Sequence, residues 1–227
     1  MIIGAQRIAI KILLALSLLF SIEVSASNTI RSKIHEAEVM NGIPSGLLLA
    51  IAKIETGLTN WAMNIDGISV FVKNKKQAIT VLKTVASTHR YGVQGKKNGV
   101  IFAGFYQSER EAINRSQQLK HKKQLVRVRN KDYTKVNPIY TDVCVMQINY
   151  RYHGSDNFKN VDEMFDLDKC IQYAAGFLSK LINTHGIKEG IGCYNGCSTK
   201  SKKSGSTASY IRKVLENWDR PAHIGML

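Results

Sequence analysis

The chain has 227 residues, of which 44% are hydrophobic and 22% charged, with three prolines. This composition excludes a disordered polymer and a large multidomain protein, and it allows one packed domain with or without a small insert. The formal net charge is +15, which favours an anionic partner without fixing the fold.

Residues 1–26 have the features of a secretory signal peptide. Arg7 and Lys11 border an apolar run over residues 12–20, and Ala26 ends a stretch of small residues suited to signal peptidase. The run is shorter than the roughly 20 apolar residues that a spanning helix needs, so cleavage is favoured over a membrane anchor. The sequence therefore predicts a periplasmic or secreted protein, with no transmembrane span after signal removal.

Two helices are predicted at the start of the mature chain, over residues 30–40 and 44–58. The second has an apolar stripe formed by Leu47, Ile51, Ile54 and Leu58. Glu55 lies at the edge of that stripe. Because apolar neighbours disfavour a charged carboxyl, its pKa should rise toward neutrality and suit general acid catalysis. On this feature alone, a half-exposed glutamate at a helix end remains the plainer interpretation.

The middle of the chain is strongly basic. Residues 70–136 carry sixteen Lys or Arg and three acids, whereas the rest of the mature chain carries fourteen basic and thirteen acidic residues. Such a composition boundary predicts a basic insert at 67–137, set into a host domain formed by residues 27–66 and 138–227.

Inside this insert, a short strand followed by a capped apolar helix occurs twice, with Phe71 aligned on Phe105 34 residues later. Asn98-Gly99 is a strong hairpin signal, and residues 125–129 alternate as a half-buried strand does. The predicted order is strand, helix, strand, strand, helix, strand. This is the split βαβ arrangement, with one antiparallel sheet and two helices on one face.

Two more helices are predicted, at residues 168–183 and 208–218, with a mobile loop rich in Gly, Ser and Lys over 195–207. The fold class is therefore α+β, a mainly helical domain with an inserted small βαββαβ unit.

Four cysteines in an exported chain favour disulfides over a zinc site. They are Cys144, Cys170, Cys193 and Cys197, and three pairings are open. The histidines, His153 among them, show no ligand spacing and are interpreted as surface or capping residues, so no metal or organic cofactor is predicted.

Three short motifs follow one another outside the insert. They are Ala52-Lys53-Ile54-Glu55-Thr56-Gly57-Leu58, then Cys144-Val145-Met146-Gln147-Ile148-Asn149, then Cys193-Tyr194-Asn195-Gly196 with Tyr210 downstream. In this order they resemble the soluble lytic transglycosylase family, most closely the short accessory enzymes of secretion, conjugation and pilus systems. The three motifs lie within residues 52–196, and the resemblance implies a helical, lysozyme-like catalytic domain.

The resemblance also implies roles for individual residues. Glu55 would be the single catalytic acid and base, and the residues implied to bind substrate are Thr56, Met146, Gln147, Tyr194, Asn195 and Tyr210. Cys144 and Cys193 replace a Gly and an Ala of the family pattern beside the groove. A Cys144–Cys170 disulfide there is one of the pairings left open.

The implied reaction cleaves the β-1,4 bond between N-acetylmuramic acid and N-acetylglucosamine without water. It leaves 1,6-anhydro ends and would open the wall locally for an envelope-spanning apparatus. A lysozyme-type hydrolytic muramidase and a non-catalytic peptidoglycan-binding protein are the alternatives. Asp66, Asp142 and Asp156 are interpreted as capping or surface residues, but entry of one of them into the groove would favour hydrolysis.

Residues 100–105, with Ser108 and Ala112, resemble the SPOR domains that bind peptidoglycan glycan strands. The insert is accordingly either a glycan-binding unit or a structural extension with a solvated basic face. Nucleic acid is an unlikely partner for an exported protein, whereas peptidoglycan peptides carry carboxylates that a basic surface would attract.

Overall fold

A computed structural model of the protein describes residues 28–196 and 205–219. The predicted signal peptide, Cys197 and most of the predicted loop over 195–207 lie outside these residues. Within the described ranges, no helix is long and apolar enough to cross a membrane.

The described chain contains nine helices and eight strands, which confirms the α+β class. Helix α1 covers residues 28–40. The other helices are α2 (Leu47–Thr56), α3 (Lys75–Ser87), α4 (Glu109–His121), α5 (Tyr150–Asn157), α6 (Val161–Met164), α7 (Leu167–His185), α8 (Ile187–Tyr194) and α9 (Ser206–Asn217). The four helices predicted outside the basic region correspond to α1, α2, α7 and α9, while α5, α6 and α8 were not predicted.

The strands form two antiparallel sheets. They are β1 (Ala62–Ile65), β2 (Ile68–Phe71), β3 (Tyr91–Lys97), β4 (Val100–Tyr106), β5 (Leu125–Val126), β6 (Thr134–Lys135), β7 (Thr141–Val143) and β8 (Ile148–Asn149). The first sheet has the order β2-β1-β7-β8, and the second has the order β4-β3-β5 with β6 also paired to β3.

The basic region has the predicted order of strands and helices with one further strand, β6, at its end, but the predicted single sheet is wrong. Its first strand, β2, pairs with β1 in the other sheet. The cause is a two-residue turn at Asp66 and Gly67, both with positive φ, which places Ile65 opposite Ile68. Asp-Gly is favoured in such turns because it tolerates this backbone conformation. The predicted boundary at 66/67 thus falls inside a hairpin.

The two helices of the basic region pack against different clusters. Asn74 caps α3 and Ser108 forms a capping box with Glu111 in α4. The buried residues of α3 belong to the main core together with those of α2 and α7, whereas α4 packs on a small separate cluster of Val93, Ala112 and Leu119. The basic region is therefore joined to the rest of the protein through β2 and α3.

Helix α2 begins without a capping side chain of its own, because Gly46 occupies the position before its first turn. Instead the carboxylate of Glu38, which is 2% exposed, accepts hydrogen bonds from the backbone N–H groups of Gly46 at 2.9 Å and Leu49 at 3.1 Å. The positive end of a helix dipole stabilises such a charge. Glu38 thereby stabilises the first turn of α2.

Candidate active site

Glu55 lies in the last turn of α2, which is followed by the capping residue Gly57 with a positive φ of 61°. Leu47 and Ile51 on the same helix are fully buried, while Glu55 is partly buried and faces a cleft with a volume of about 780 Å³. The opposite walls come from the first sheet, α5 and the end of α8. The predicted position of Glu55 at the edge of a buried face is confirmed.

One face of the first sheet presents a row of polar side chains to this cleft. Asn64 on β1 is paired with Ser69 on β2 and with Asp142 on β7, and Asp142 is paired with Asn149 on β8. All four residues line the cleft. Because residues directly opposite in neighbouring strands point to the same face, the row crosses the whole sheet.

Tyr210 on α9 contacts Glu55 from the protein interior. Its hydroxyl donates a hydrogen bond to Oε1 of Glu55 at 2.5 Å, and its side chain is buried. Burial and the adjacent carboxyl of Glu55 raise the pKa of Tyr210. The phenol therefore keeps its proton and remains a donor to Glu55 throughout the physiological range.

The pKa of Glu55 is raised from 4.5 to about 7, mainly because burial penalises its charged form. The hydrogen bond from Tyr210 opposes this rise by stabilising the carboxylate, and the charge of Asp142 adds to the rise. Near neutral pH the group is thus divided between its acid and its base form. Such a carboxyl can both give up and take back a proton.

Asp142 is the second carboxyl group of the cleft, and its interpretation as a surface or capping residue is wrong. Its Oδ1 accepts a hydrogen bond from the amide of Asn149 at 2.6 Å. Burial raises the pKa of Asp142, and this hydrogen bond opposes the rise. By contrast, Asp66 accepts from Arg129 and from the backbone of Asn137, away from the lining of the cleft.

The second predicted motif forms the floor of the site. Gln147 lines the cleft, and its Nε2 donates to the carbonyl oxygens of Ala62 at 3.2 Å and Cys144 at 3.0 Å. Since both amide hydrogens are used, its Oε1 is the group that can accept a hydrogen bond from a ligand. Met146 is fully buried and lies behind the floor.

Three other residues that the resemblance implied to bind substrate lie at or behind the wall of the cleft. The buried Thr56 hydroxyl lies 3.0 Å from the carbonyl of Val145, linking α2 to the second motif. Tyr194 lines the cleft and donates to the carbonyl of Met146 at 3.0 Å, linking the third motif to the second. Asn195 lines the cleft. The structure therefore brings Glu55, Gln147, Tyr194 and Asn195 to one surface, with Thr56, Met146 and Tyr210 behind it.

A disulfide joins the buried Cys144 of the second motif to Cys170 on α7, with the two Cα atoms 6.7 Å apart. This pairing is one of the three that the sequence left open. Cys144 has a positive φ of 64°, a conformation that favours glycine. Cys193 is also disulfide-bonded.

His153 on α5 was not predicted as a site residue, yet it lines the cleft. Its Nδ1 lies 2.7 Å from the hydroxyl of Tyr173, and its ring packs edge-on against Phe177 at a centroid distance of 4.8 Å. Burial lowers the pKa of His153, so the ring is favoured in its neutral form. Among the described residues, no cluster of potential ligands could hold a metal ion.

No known family model, curated protein or solved structure matches the chain.

Proposed function

We propose that the protein cleaves the glycan strands of peptidoglycan, as a lytic transglycosylase whose general acid and base is Glu55. The observation that carries this proposal is the position of Glu55 in an open cleft, with a pKa of about 7 and a hydrogen bond from Tyr210. The three motifs that resemble the transglycosylase family meet around this carboxyl group. They support the choice of substrate.

In the proposed reaction, protonated Glu55 gives its proton to the oxygen that bridges N-acetylmuramic acid and N-acetylglucosamine, and the bond from that oxygen to the anomeric carbon breaks. The acetamido group of the substrate supports the positive charge on the anomeric carbon. The oxygen of the sugar's 6-hydroxyl group then bonds to the anomeric carbon, and Glu55, now a carboxylate, takes the proton of that hydroxyl group. The products are a 1,6-anhydro end and a free 4-hydroxyl, and no water is consumed.

Hydrolysis by a lysozyme-type mechanism is the second candidate, and the presence of Asp142 in the cleft favours it. Two-carboxylate glycosidases pair a protonated acid with an ionised nucleophile or base. Their environments push the two pKa values apart. In this cleft, burial raises the pKa of both groups. Asp142 is thus less well prepared to act as an anion, and we keep the non-hydrolytic route as the first proposal.

Digestion of purified sacculi, followed by mass spectrometry of the products, tests the function. Anhydro ends support the first route, and reducing ends one water heavier support the second. Glu55→Gln should abolish cleavage in both cases, because the amide has no titratable proton. Asp142→Asn, which can still accept a hydrogen bond from Asn149, should lower hydrolysis at least a hundredfold but leave transglycosylation within about tenfold. An active Glu55→Gln protein would end both proposals.

The same proposal includes a lysozyme-like arrangement of the helical part, with the basic region as an insert in it. Export through residues 1–26 would bring the protein to peptidoglycan, where it would open the wall for a secretion, conjugation or pilus apparatus.

The basic region would hold the enzyme on the wall electrostatically. Its three acids are engaged internally: Asp132 pairs with Arg127 and Lys120, Glu109 accepts from Tyr133, and Glu111 caps α4. Arg129 is paired with Asp66 outside the region, and the other basic residues are left to face an anionic partner such as the peptide carboxylates of peptidoglycan. Sedimentation with sacculi should fall as salt increases, and sedimentation that stayed constant would refute this role.

A further inference from the structure

Two aromatic side chains in the cleft are unusually open to solvent. Phe71 at the end of β2 is 50% exposed and Tyr152 on α5 is 67% exposed, and both line the cleft that contains Glu55. Large exposed apolar side chains that gather in one concave surface are typical of binding sites.

The register of the first sheet explains why Phe71 faces the cleft. Ile68 and Val70 on β2 are buried in the core, so the alternation of the strand directs Ser69 and Phe71 to the opposite face. That face carries the polar row of Ser69, Asn64, Asp142 and Asn149. Phe71 therefore stands beside the β2 end of the row.

Tyr152 stands at the other end of the row. It follows β8 by three residues on α5, and the guanidinium of Arg151 lies 5.7 Å from the centroid of its ring. The same guanidinium lies 4.8 Å from the ring of Tyr140. Cation–π contacts of this kind hold an exposed ring in place. Since β2 and β8 are the two edge strands, one aromatic ring flanks each edge of the polar face.

We infer that Phe71 and Tyr152 are stacking platforms for a β-1,4-linked N-acetylhexosamine strand that crosses the first sheet. The inference rests on the proposed function and adds to it, because Phe71 places part of the substrate site in the basic region. A sugar ring has an apolar face that an aromatic ring can cover, and hydroxyl and acetamido groups at its edge. The side chains between the two platforms can make hydrogen bonds to such groups.

The length of the polar row and the charges that line the cleft indicate which kind of polymer it can bind. Three interstrand spacings of about 4.8 Å make the row roughly 14 Å long, which is longer than a single sugar ring. None of the described residues that line the cleft is a lysine or arginine. A neutral, extended, amide-bearing polymer fits this surface better than an anionic one.

Titration calorimetry with chitohexaose, the β-1,4-linked hexamer of N-acetylglucosamine, tests the inference in the Glu55→Gln background, where cleavage cannot obscure binding. Phe71→Ala and Tyr152→Ala should each raise the Kd about tenfold. Phe71→Tyr and Tyr152→Phe keep a ring and should stay within about twofold of the parent. Val100→Ala removes another side chain, 68% exposed on β4 and outside the cleft, and should leave the Kd unchanged.

An unchanged Kd in both alanine variants, or a parent that does not bind chitohexaose, would overturn the inference. Digestion of sacculi by the unmodified protein separates this failure from that of the proposed function. Cleavage with no effect of the two aromatic rings would refute the platforms alone. Ring-dependent binding without any cleavage would refute the enzymatic function and support the platforms.

Discussion

Replacing Glu55 by Gln should stabilise the protein above pH 7. On folding, burial raises the pKa of Glu55 from 4.5 to about 7, so the folded protein holds a proton that the unfolded chain releases. A pKa difference of one corresponds to about 1.4 kcal/mol. The ionisation of Glu55 therefore lowers the free energy of unfolding by about 3 kcal/mol above pH 7, and by nothing below pH 4. Gln carries no charge at any pH, and its carbonyl can still accept from Tyr210.

Urea unfolding at pH 4 and pH 8, with tryptophan fluorescence as the signal, measures this difference. We expect Glu55→Gln to exceed the unmodified protein by about 3 kcal/mol at pH 8 and to match it at pH 4. Glu36→Gln, on the exposed face of α1, is the matched control, because it removes a charge that is already in water. A gain for Glu55→Gln that is absent at pH 8, or equal at both pH values, would contradict the burial argument.

Three further predictions concern the groups that hold the site. Tyr210→Phe removes the hydrogen bond that lowers the pKa of Glu55, so the alkaline limb of the pH–activity profile should move up by about one pH unit; a downward shift would be evidence against the assigned contact. Glu38→Ala leaves the N–H groups of Gly46 and Leu49 without their acceptor and should cost about 2 to 4 kcal/mol in urea unfolding, whereas Glu36→Gln on the same helix should cost less than about 0.5 kcal/mol. Changing both Cys144 and Cys170 to Ser opens a loop that spans 26 residues and should lower the free energy of unfolding by about 3.5 kcal/mol. Because Gln147 donates to the carbonyl of Cys144, kcat should also fall under conditions in which the variant remains fully folded.

Elements governed by local sequence were predictable. The apolar spacing located α1, α2, α7 and α9, and the caps and the Asn98-Gly99 turn located the helices and hairpin of the basic region. These signals depend on neighbours within one or two turns of the chain. The wrong assignment of β2 to the sheet of the basic region also concerns a local signal, because the Asp66-Gly67 turn that pairs β2 with β1 is visible in the sequence.

The site depended on contacts that spacing does not encode. Tyr210 and Glu55 are 155 residues apart in the chain, and only the family resemblance linked them. Asp142 enters the cleft because β7, a strand of three residues, pairs with β1 across the whole basic region. Glu38 looks like any surface acid in the sequence, because the groups that it satisfies belong to the next helix. A short strand or a single buried charge leaves too weak a pattern to be recognised.

The position of β2 at the edge of the first sheet limits how far the protein can be shortened. A deletion that joins residue 66 to residue 138 would strip β1 of its outer neighbour and leave a row of backbone N–H and C=O groups open to water. Open edges of this kind attract strands from other molecules. The smallest version fit for crystallisation or enzymology therefore has to keep the hairpin through Phe71 and also α3, whose buried residues belong to the main core.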